Sequence, residues 1–152
     1  MSTITETIDV DVDVTTAYDQ WTQFEDFPQF MEGVERIDQR DDTHLHWVIK
    51  VGPVTREFDA TVTEQHPDER VAWRSDDGLE HAGVVTFHRL GDTSTRVTVQ
   101  MDVDPEGFVE QVADKAGILE RRTQGDLRNF KKFIESRGGQ ETGAWRGDVE
   151  HP

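Results

Sequence analysis

The sequence predicts an α+β fold in which seven antiparallel strands pack against one long C-terminal helix. The first observation is a helical stripe over residues 105–137, where apolar side chains recur every third or fourth position. The second is a series of segments in which apolar and polar residues alternate, the pattern of half-buried strands. The third is that turn signals such as Pro67-Asp68 and Gly91-Asp92 arrive about every ten residues, as in an antiparallel meander.

The first strand is expected at residues 3–14, followed by two short helices. Its Asp-x-Asp-x-Asp run suggests a calcium loop, but Val14 stands where that loop needs glycine, so a solvated strand face is the better interpretation. Thr15 and Thr16 are suited to cap the first helix, and residues 27–31 form the second helix or turn. Six more strands are expected at residues 34–40, 45–51, 54–65, 71–75, 80–90 and 95–103.

The C-terminal helix completes a single domain over residues 1–137. Pro105 suits its first turn, where a missing N–H costs nothing, and Gly138 suits its C-terminal cap. Within the apolar stripe, Phe130 and Ile134 are expected to anchor the helix to the sheet. Residues 138–152 form an irregular acidic tail in which Trp145 is expected to dock on the domain or on a partner.

The composition narrows the class of protein. A chain of 152 residues without cysteine has no disulfide framework and no thiolate metal site. Its net charge of -16 opposes binding to nucleic acid or to an anionic membrane surface. No segment has the length and apolarity of a membrane span, so we expect a cytoplasmic protein without membrane insertion. The acidity reflects either a salty cytoplasm or a genomic bias toward Asp and Arg, and both interpretations stay open.

Five segments carry a resemblance to a known family. They are VTTAYDQW (14–21), FEDFPQFM (24–31), VAWRS (71–75), GVVTF (83–87) and DLRNFK (126–131). With them the chain resembles the START and birch-pollen-allergen superfamily, and more narrowly the SRPBCC proteins of polyketide cyclase/dehydrase type with their coenzyme Q-binding branch. Over residues 3–137 the resemblance implies the helix-grip fold, a curved seven-stranded antiparallel sheet wrapped around the C-terminal helix.

The resemblance also implies a cavity between the sheet and the helix. One helix does not fill the concave side of a bent sheet, and the small residues Ala113, Ala116 and Gly117 leave further room. The alternative is that the aromatic rings fill this space and nothing binds. The expected ligand-binding residues are Trp21, Trp47, Phe58, Trp73, Val85, Phe87, Val99, Met101, Val112, Ala116 and Leu119.

Three polar residues are candidates for catalysis. Arg56 shares the strand face of Phe58, and a guanidinium there needs a carboxylate, a carbonyl or a ligand. The family's cyclases polarise a carbonyl or enolate, which suits such a donor; the alternative is that Arg56 turns to solvent or pairs with an acid. His81 has the parity to reach the cavity mouth, and Tyr18, the sole tyrosine, offers a phenol.

No metal or cofactor is expected. His44 and His46 lie on one strand face without a third ligand, and no phosphate loop or dinucleotide glycine motif is present. The sequence therefore predicts binding of a small hydrophobic or aromatic ligand, such as a polyketide, a quinone or a lipid-like molecule. A polyketide cyclase or dehydrase is the alternative, and a protein-interaction module that uses the tail is the second alternative. Whether the chain is a monomer or a homodimer stays open.

Overall fold

A computed structural model describes residues 2–31, 33–41, 43–51, 54–76, 81–103 and 115–136. Strand β1 (Ser2–Val10) is followed by helix α1 (Val14–Trp21) and by a 3₁₀ helix (Phe24–Gln29). Six strands and a C-terminal helix come next: β2 (Val34–Gln39), β3 (His44–Val51), β4 (Val54–His66), β5 (Arg70–Ser75), β6 (His81–Gly91), β7 (Ser94–Val103) and α2 (Lys115–Ser136).

The seven strands form one antiparallel sheet in the order β1-β7-β6-β5-β4-β3-β2. Strands β2 to β7 follow each other as a meander, and β1 adds to the free edge of β7, where Ser2 lies opposite Val103. The predicted fold class and the two short helices after the first strand are therefore confirmed, while the pairing of β1 with β7 was not part of the prediction.

The predicted end of the first strand is wrong. The strand stops at Val10, and Asp13 is the N-cap of α1 in place of the expected Thr15 and Thr16. The Asp13 carboxylate accepts hydrogen bonds from the Thr16 backbone N at 3.2 Å and from the Thr16 hydroxyl at 2.6 Å. A capping carboxylate satisfies N–H groups that the first helical turn leaves without partners. The alternation of valine and aspartate continues past the strand because Val12 is buried in the connection.

Helix α2 is held against the sheet by its apolar face. Phe130 and Ile134 are fully buried, as predicted, and the Phe130 ring lies 4.8 Å from Trp21 and 5.2 Å from Phe30, centroid to centroid. Lys131 Nζ also donates to the Asp9 carbonyl at 2.9 Å. The C-terminal half of α2 is therefore fixed to the end of β1 and to the short helices.

Some predictions concern residues outside the described ranges. The expected start of the C-terminal helix at residues 105–114 and the tail at residues 138–152, with Trp145, belong to this group. The division into a domain and a tail stays a prediction. Among the described helices, none is long and apolar enough to cross a membrane.

Candidate ligand-binding cavity

A cavity of about 120 Å³ lies between the concave face of the sheet and helix α2. A single water molecule needs roughly 10–15 Å³ by the same measure, so the cavity has room for a small organic molecule. Its apolar lining comes from Ile4, Trp21, Phe27, Met31, Val34, Trp47, Ile49, Phe58, Trp73, Val99, Met101 and Leu127. Its polar lining comes from His81, Arg122, Thr123 and Asp126, and Gly33 lies at its edge.

Four rings on the sheet form an aromatic platform, defined here as Phe58, Trp47, Trp73 and His81. Trp47 lies directly opposite Phe58 in the β3–β4 register, so both rings point to the same face. The Trp47 ring stacks on Phe58 at 5.7 Å with 13° between the planes, and on Trp73 at 6.3 Å with 24°. His81 continues the series, 5.9 Å from Trp73 and tilted by 27°. The His81 ring is also tilted by 49° against Trp47 and by 41° against Phe58, so the four rings form one packed aromatic cluster in the sheet side of the cavity wall.

Gly83 makes room for the Trp73 ring. It lies between Trp73 on β5 and Met101 on β7 in the register of the sheet. A Cβ atom at Gly83 would lie 2.6 Å from Cζ2 and 2.8 Å from Cη2 of Trp73. Because real Cβ atoms do not approach other atoms so closely, the indole lies flat over β6 only while residue 83 has no side chain.

His81 is a neutral hydrogen-bonding group in the cavity wall. The Trp73 indole N–H donates to His81 Nδ1 at 3.0 Å. Since indole is only a donor, Nδ1 is an acceptor and the neutral imidazole carries its proton on Nε2. Desolvation by burial lowers the pKa of His81 to about 4. At neutral pH this side chain therefore presents an N–H donor at Nε2.

Two further indole groups border the cavity. The side chains of Trp21 and Trp47 are buried, and their N–H groups have no hydrogen-bond acceptor among the residues that the structure describes. A buried donor without an acceptor costs free energy, so within the described part of the chain each of these groups can still bind an oxygen atom.

Helix α2 supplies a polar wall that the sequence analysis missed. Arg122, Thr123 and Asp126 line the cavity together with Leu127. On a helix, positions i, i+1, i+4 and i+5 cover one side over two turns, so these four residues face the same space. The available signal was a charged pair at i, i+4 beside the apolar stripe that contains Thr123 and Leu127.

Some of the predicted ligand-binding residues line the cavity, and others lie in the core. Trp21, Trp47, Phe58, Trp73, Val99 and Met101 line the cavity. Val85 and Phe87 are buried without being among the lining residues. Val112 is outside the described residues, and Ala116 and Leu119 belong to a part of α2 whose side chains are not described.

The three catalytic candidates do not come together. His81 lines the cavity. Arg56 is half-buried opposite Ile49, so it lies on the same sheet face, but it is not a lining residue. Tyr18 is fully buried against the edge of Phe87, with ring centroids 5.5 Å apart. Catalytic roles for these residues stay predictions.

The paired histidines of β3 bind carboxylates. His44 Nδ1 lies 2.8 Å from Asp41, and the ring of His46 bridges Asp59 at 2.7 Å and Glu57 at 3.0 Å. Hydrogen bonds that the ring N–H groups donate to the carboxylates of Glu57 and Asp59 raise the pKa of His46 above its usual value. In the described part of the chain, no group of three or more side chains is arranged to hold a metal ion.

A curled seven-stranded antiparallel sheet that closes on a C-terminal helix around an apolar cavity defines a helix-grip protein of the START-like class. Comparison with family models narrows this class. The model described as "Polyketide cyclase / dehydrase and lipid transport" matches residues 10–132, and the chain belongs to this family.

Similar proteins include an uncharacterised 17.2 kDa protein of Streptomyces lincolnensis. It is 62% identical over 150 residues, which cover 98% of this chain and 99% of that protein. Among solved structures, the Zhui aromatase/cyclase of a Streptomyces strain has a TM-score of 0.72 at 10% identity, over 90% of this chain and 95% of that chain. A START superfamily protein of Mycobacterium smegmatis has a TM-score of 0.66 at 17% identity, over 89% and 95%. These two structures share the fold.

Proposed function

We propose that this protein binds a small apolar or aromatic molecule between the aromatic platform and helix α2. The observation that carries the proposal is the cavity itself, whose sheet side consists of stacked rings and aliphatic side chains. Burial of apolar ligand surface there contributes about 25 cal/mol per Å². The family membership supports the same function.

The lining favours a planar ligand that carries oxygen acceptors. The rings of Phe58, Trp47 and Trp73 in the cavity wall suit contact with a flat ring system. The N–H groups of Trp21, Trp47 and His81 are donors and suit carbonyl or quinone oxygens. A polyketide or a quinone therefore fits this cavity better than a plain hydrocarbon chain. The net charge of -16 supports the further proposal that nucleic acid is not a partner.

The direct test is binding of N-phenyl-naphthylamine, a neutral aromatic dye whose fluorescence rises in apolar surroundings. Val99 lines the cavity, so Val99→Phe places a phenyl ring in the space that the ligand needs. We expect this variant to lose dye binding and to stay folded, because the new ring fills a void. Wild-type dye affinity in Val99→Phe, or absence of dye binding by the wild type, would contradict the proposal.

Val97 provides the matched control. It is two residues from Val99 on the same face of β7, is fully buried and does not line the cavity. Val97→Phe therefore overpacks a filled core and is expected to lower stability by about 1–3 kcal/mol. Dye binding by the folded fraction of this variant should persist. Thermal unfolding of both variants separates blocking of the cavity from general damage.

A polyketide cyclase or dehydratase is the second candidate function. It is favoured by the presence of His81, Arg122 and Asp126 in one cavity, since general acid–base catalysis needs a positioned donor and acceptor. His81 would donate from Nε2 to a substrate carbonyl, and the Asp126 carboxylate would accept a proton. If so, Asp126→Asn abolishes turnover of a poly-β-ketone substrate and leaves dye affinity unchanged. Full turnover in Asp126→Asn would reject this assignment.

A further inference from the structure

Arg122 places a positive charge in the wall of a largely apolar cavity. Its side chain is half-buried on α2, across from the aromatic platform. Within the described ranges, its guanidinium makes no hydrogen bond or ion pair. A partly desolvated cation that has no acceptor among the described residues gains free energy when a ligand supplies one.

Gly33 forms a seat for the Arg122 side chain. A Cβ atom at Gly33 would lie 2.5 Å from Arg122 Nη1 and 3.2 Å from Cδ, so the guanidinium packs directly on this glycine and would have to shift if residue 33 carried a side chain. Gly33 is itself fixed, because its carbonyl accepts a hydrogen bond from the Lys50 backbone N at 2.7 Å. The guanidinium thus rests against the backbone of Gly33 in the wall of the cavity.

From this arrangement we infer that the ligand of the cavity carries an anionic group, such as a carboxylate, a sulfonate or an ionised phenol, that binds Arg122. The inference rests on the proposed function and deepens it: the aromatic body stacks on the platform, and the acidic group turns toward α2. A guanidinium presents parallel N–H donors that match the two oxygens of a carboxylate or sulfonate. Such charge-assisted hydrogen bonds are stronger than neutral ones, and more so in a cavity with little water.

Two features of the protein oppose an anion, and each is offset in part. Asp126 lies one turn beyond Arg122 in the same wall, and it already has an interaction partner. The net charge of -16 is distributed over the whole chain, and salt screens charges beyond about 8 Å at physiological ionic strength. The sign of the charge that the cavity selects is therefore set by Arg122.

The test uses two dyes with the same rings. Anilinonaphthalene sulfonate is anionic, and N-phenyl-naphthylamine lacks the sulfonate. We expect Arg122→Gln to weaken binding of the sulfonate dye by about tenfold and to change affinity for the neutral dye by less than about twofold. Equal weakening of both dyes, or unchanged affinity for the sulfonate dye, would overturn the inference.

Two further variants make the result specific. Arg128→Gln removes the same charge from an exposed position of α2 that does not line the cavity, and it should leave both affinities unchanged. If Arg128→Gln weakens binding of the sulfonate dye as much as Arg122→Gln does, the effect comes from the net charge of the protein and the inference fails. Gly33→Ala keeps Arg122 and fills its seat, so it should weaken binding of the sulfonate dye and leave binding of the neutral dye unchanged. Wild-type affinity of Gly33→Ala for the sulfonate dye would refute the role of the seat.

The neutral dye separates this inference from the proposed function. If the wild type binds N-phenyl-naphthylamine and Arg122→Gln leaves the sulfonate dye unaffected, the cavity binds ligands and the charge preference is wrong. If the wild type does not bind the neutral dye, the proposed function itself fails.

Discussion

Substitution of Gly83 by alanine tests the packing on which the aromatic platform depends. A methyl group at this position would lie 2.6 Å, 2.8 Å and 3.1 Å from three atoms of the Trp73 ring. The indole is rigid and packs against Trp47 and His81, so it has to shift as a whole. That shift also breaks the hydrogen bond from the indole N–H to His81 Nδ1.

The expected loss of stability follows from three contributions. Overpacking of a core costs about 1–3 kcal/mol, and the lost hydrogen bond costs about 0.5–1.5 kcal/mol. Alanine restricts the unfolded chain more than glycine does, which offsets about 0.4–1 kcal/mol. We therefore expect Gly83→Ala to destabilise the protein by about 0.5–4 kcal/mol, centred on ~2 kcal/mol, or roughly 4–8 °C in melting temperature for a domain of this size.

The assay is unfolding in urea followed by tryptophan fluorescence, with Gly91→Ala as the matched control. Gly91 is in the same strand, and a Cβ atom there would meet nothing within 4 Å. The control should change the free energy of unfolding by less than about 0.5 kcal/mol. If Gly83→Ala is as stable as Gly91→Ala, the Trp73 indole does not rest over Gly83 and the rings of the platform are packed differently.

Three further predictions concern α2 and two histidines. Gly125→Ala should raise stability by about 0.5–1 kcal/mol, because Gly125 is inside a helix and the nearest atom to its Cβ position is 3.9 Å away; a lower urea midpoint would contradict this. His81 should remain neutral in NMR titrations down to about pH 4, with its proton on Nε2. Because an unfolded histidine titrates near 6.5, stability should fall by up to ~3 kcal/mol as pH drops from 6.5 to 4, and His81→Gln should lose this component. For His46 the pKa is raised, so its stabilising effect is complete below about pH 6.5 and is lost as pH rises through the folded pKa; a His46 pKa below 6.5 by NMR would refute this.

Most of the fold prediction came from the alternation of residues in strands and from residues typical of turns. Alternation placed Trp47, Phe58 and Trp73 on one face of the sheet, and their rings do stack there. The same reasoning extended β1 to Val14, because a buried valine continues the pattern after the strand has ended. The competing feature was the side chain of Asp13, which caps α1 and ends the extended segment.

Hydrophobic periodicity did not predict the polar side of the cavity. A helical stripe identifies which residues are apolar, but the position of Arg122 and Asp126 depends on how α2 is rotated and on where it crosses the sheet. Phe87 had the right parity for the cavity and yet lies in the core, because the ring of Tyr18 on α1 packs against it. Strand parity predicts on which face of the sheet a side chain lies. The helices that cover this face decide which part of it borders the cavity.

The sequence by itself thus determined seven strands, the meander of the last six, the helix that covers them and the inward direction of the large rings. These properties follow from short-range patterns and from the turns between neighbouring strands. Only the tertiary structure decided that Gly83 gives space to Trp73, that His81 is held neutral by burial and accepts from an indole, and that Gly33 seats Arg122. Each of these contacts joins residues on separate elements, and its geometry depends on sheet register and helix docking, which no local pattern encodes.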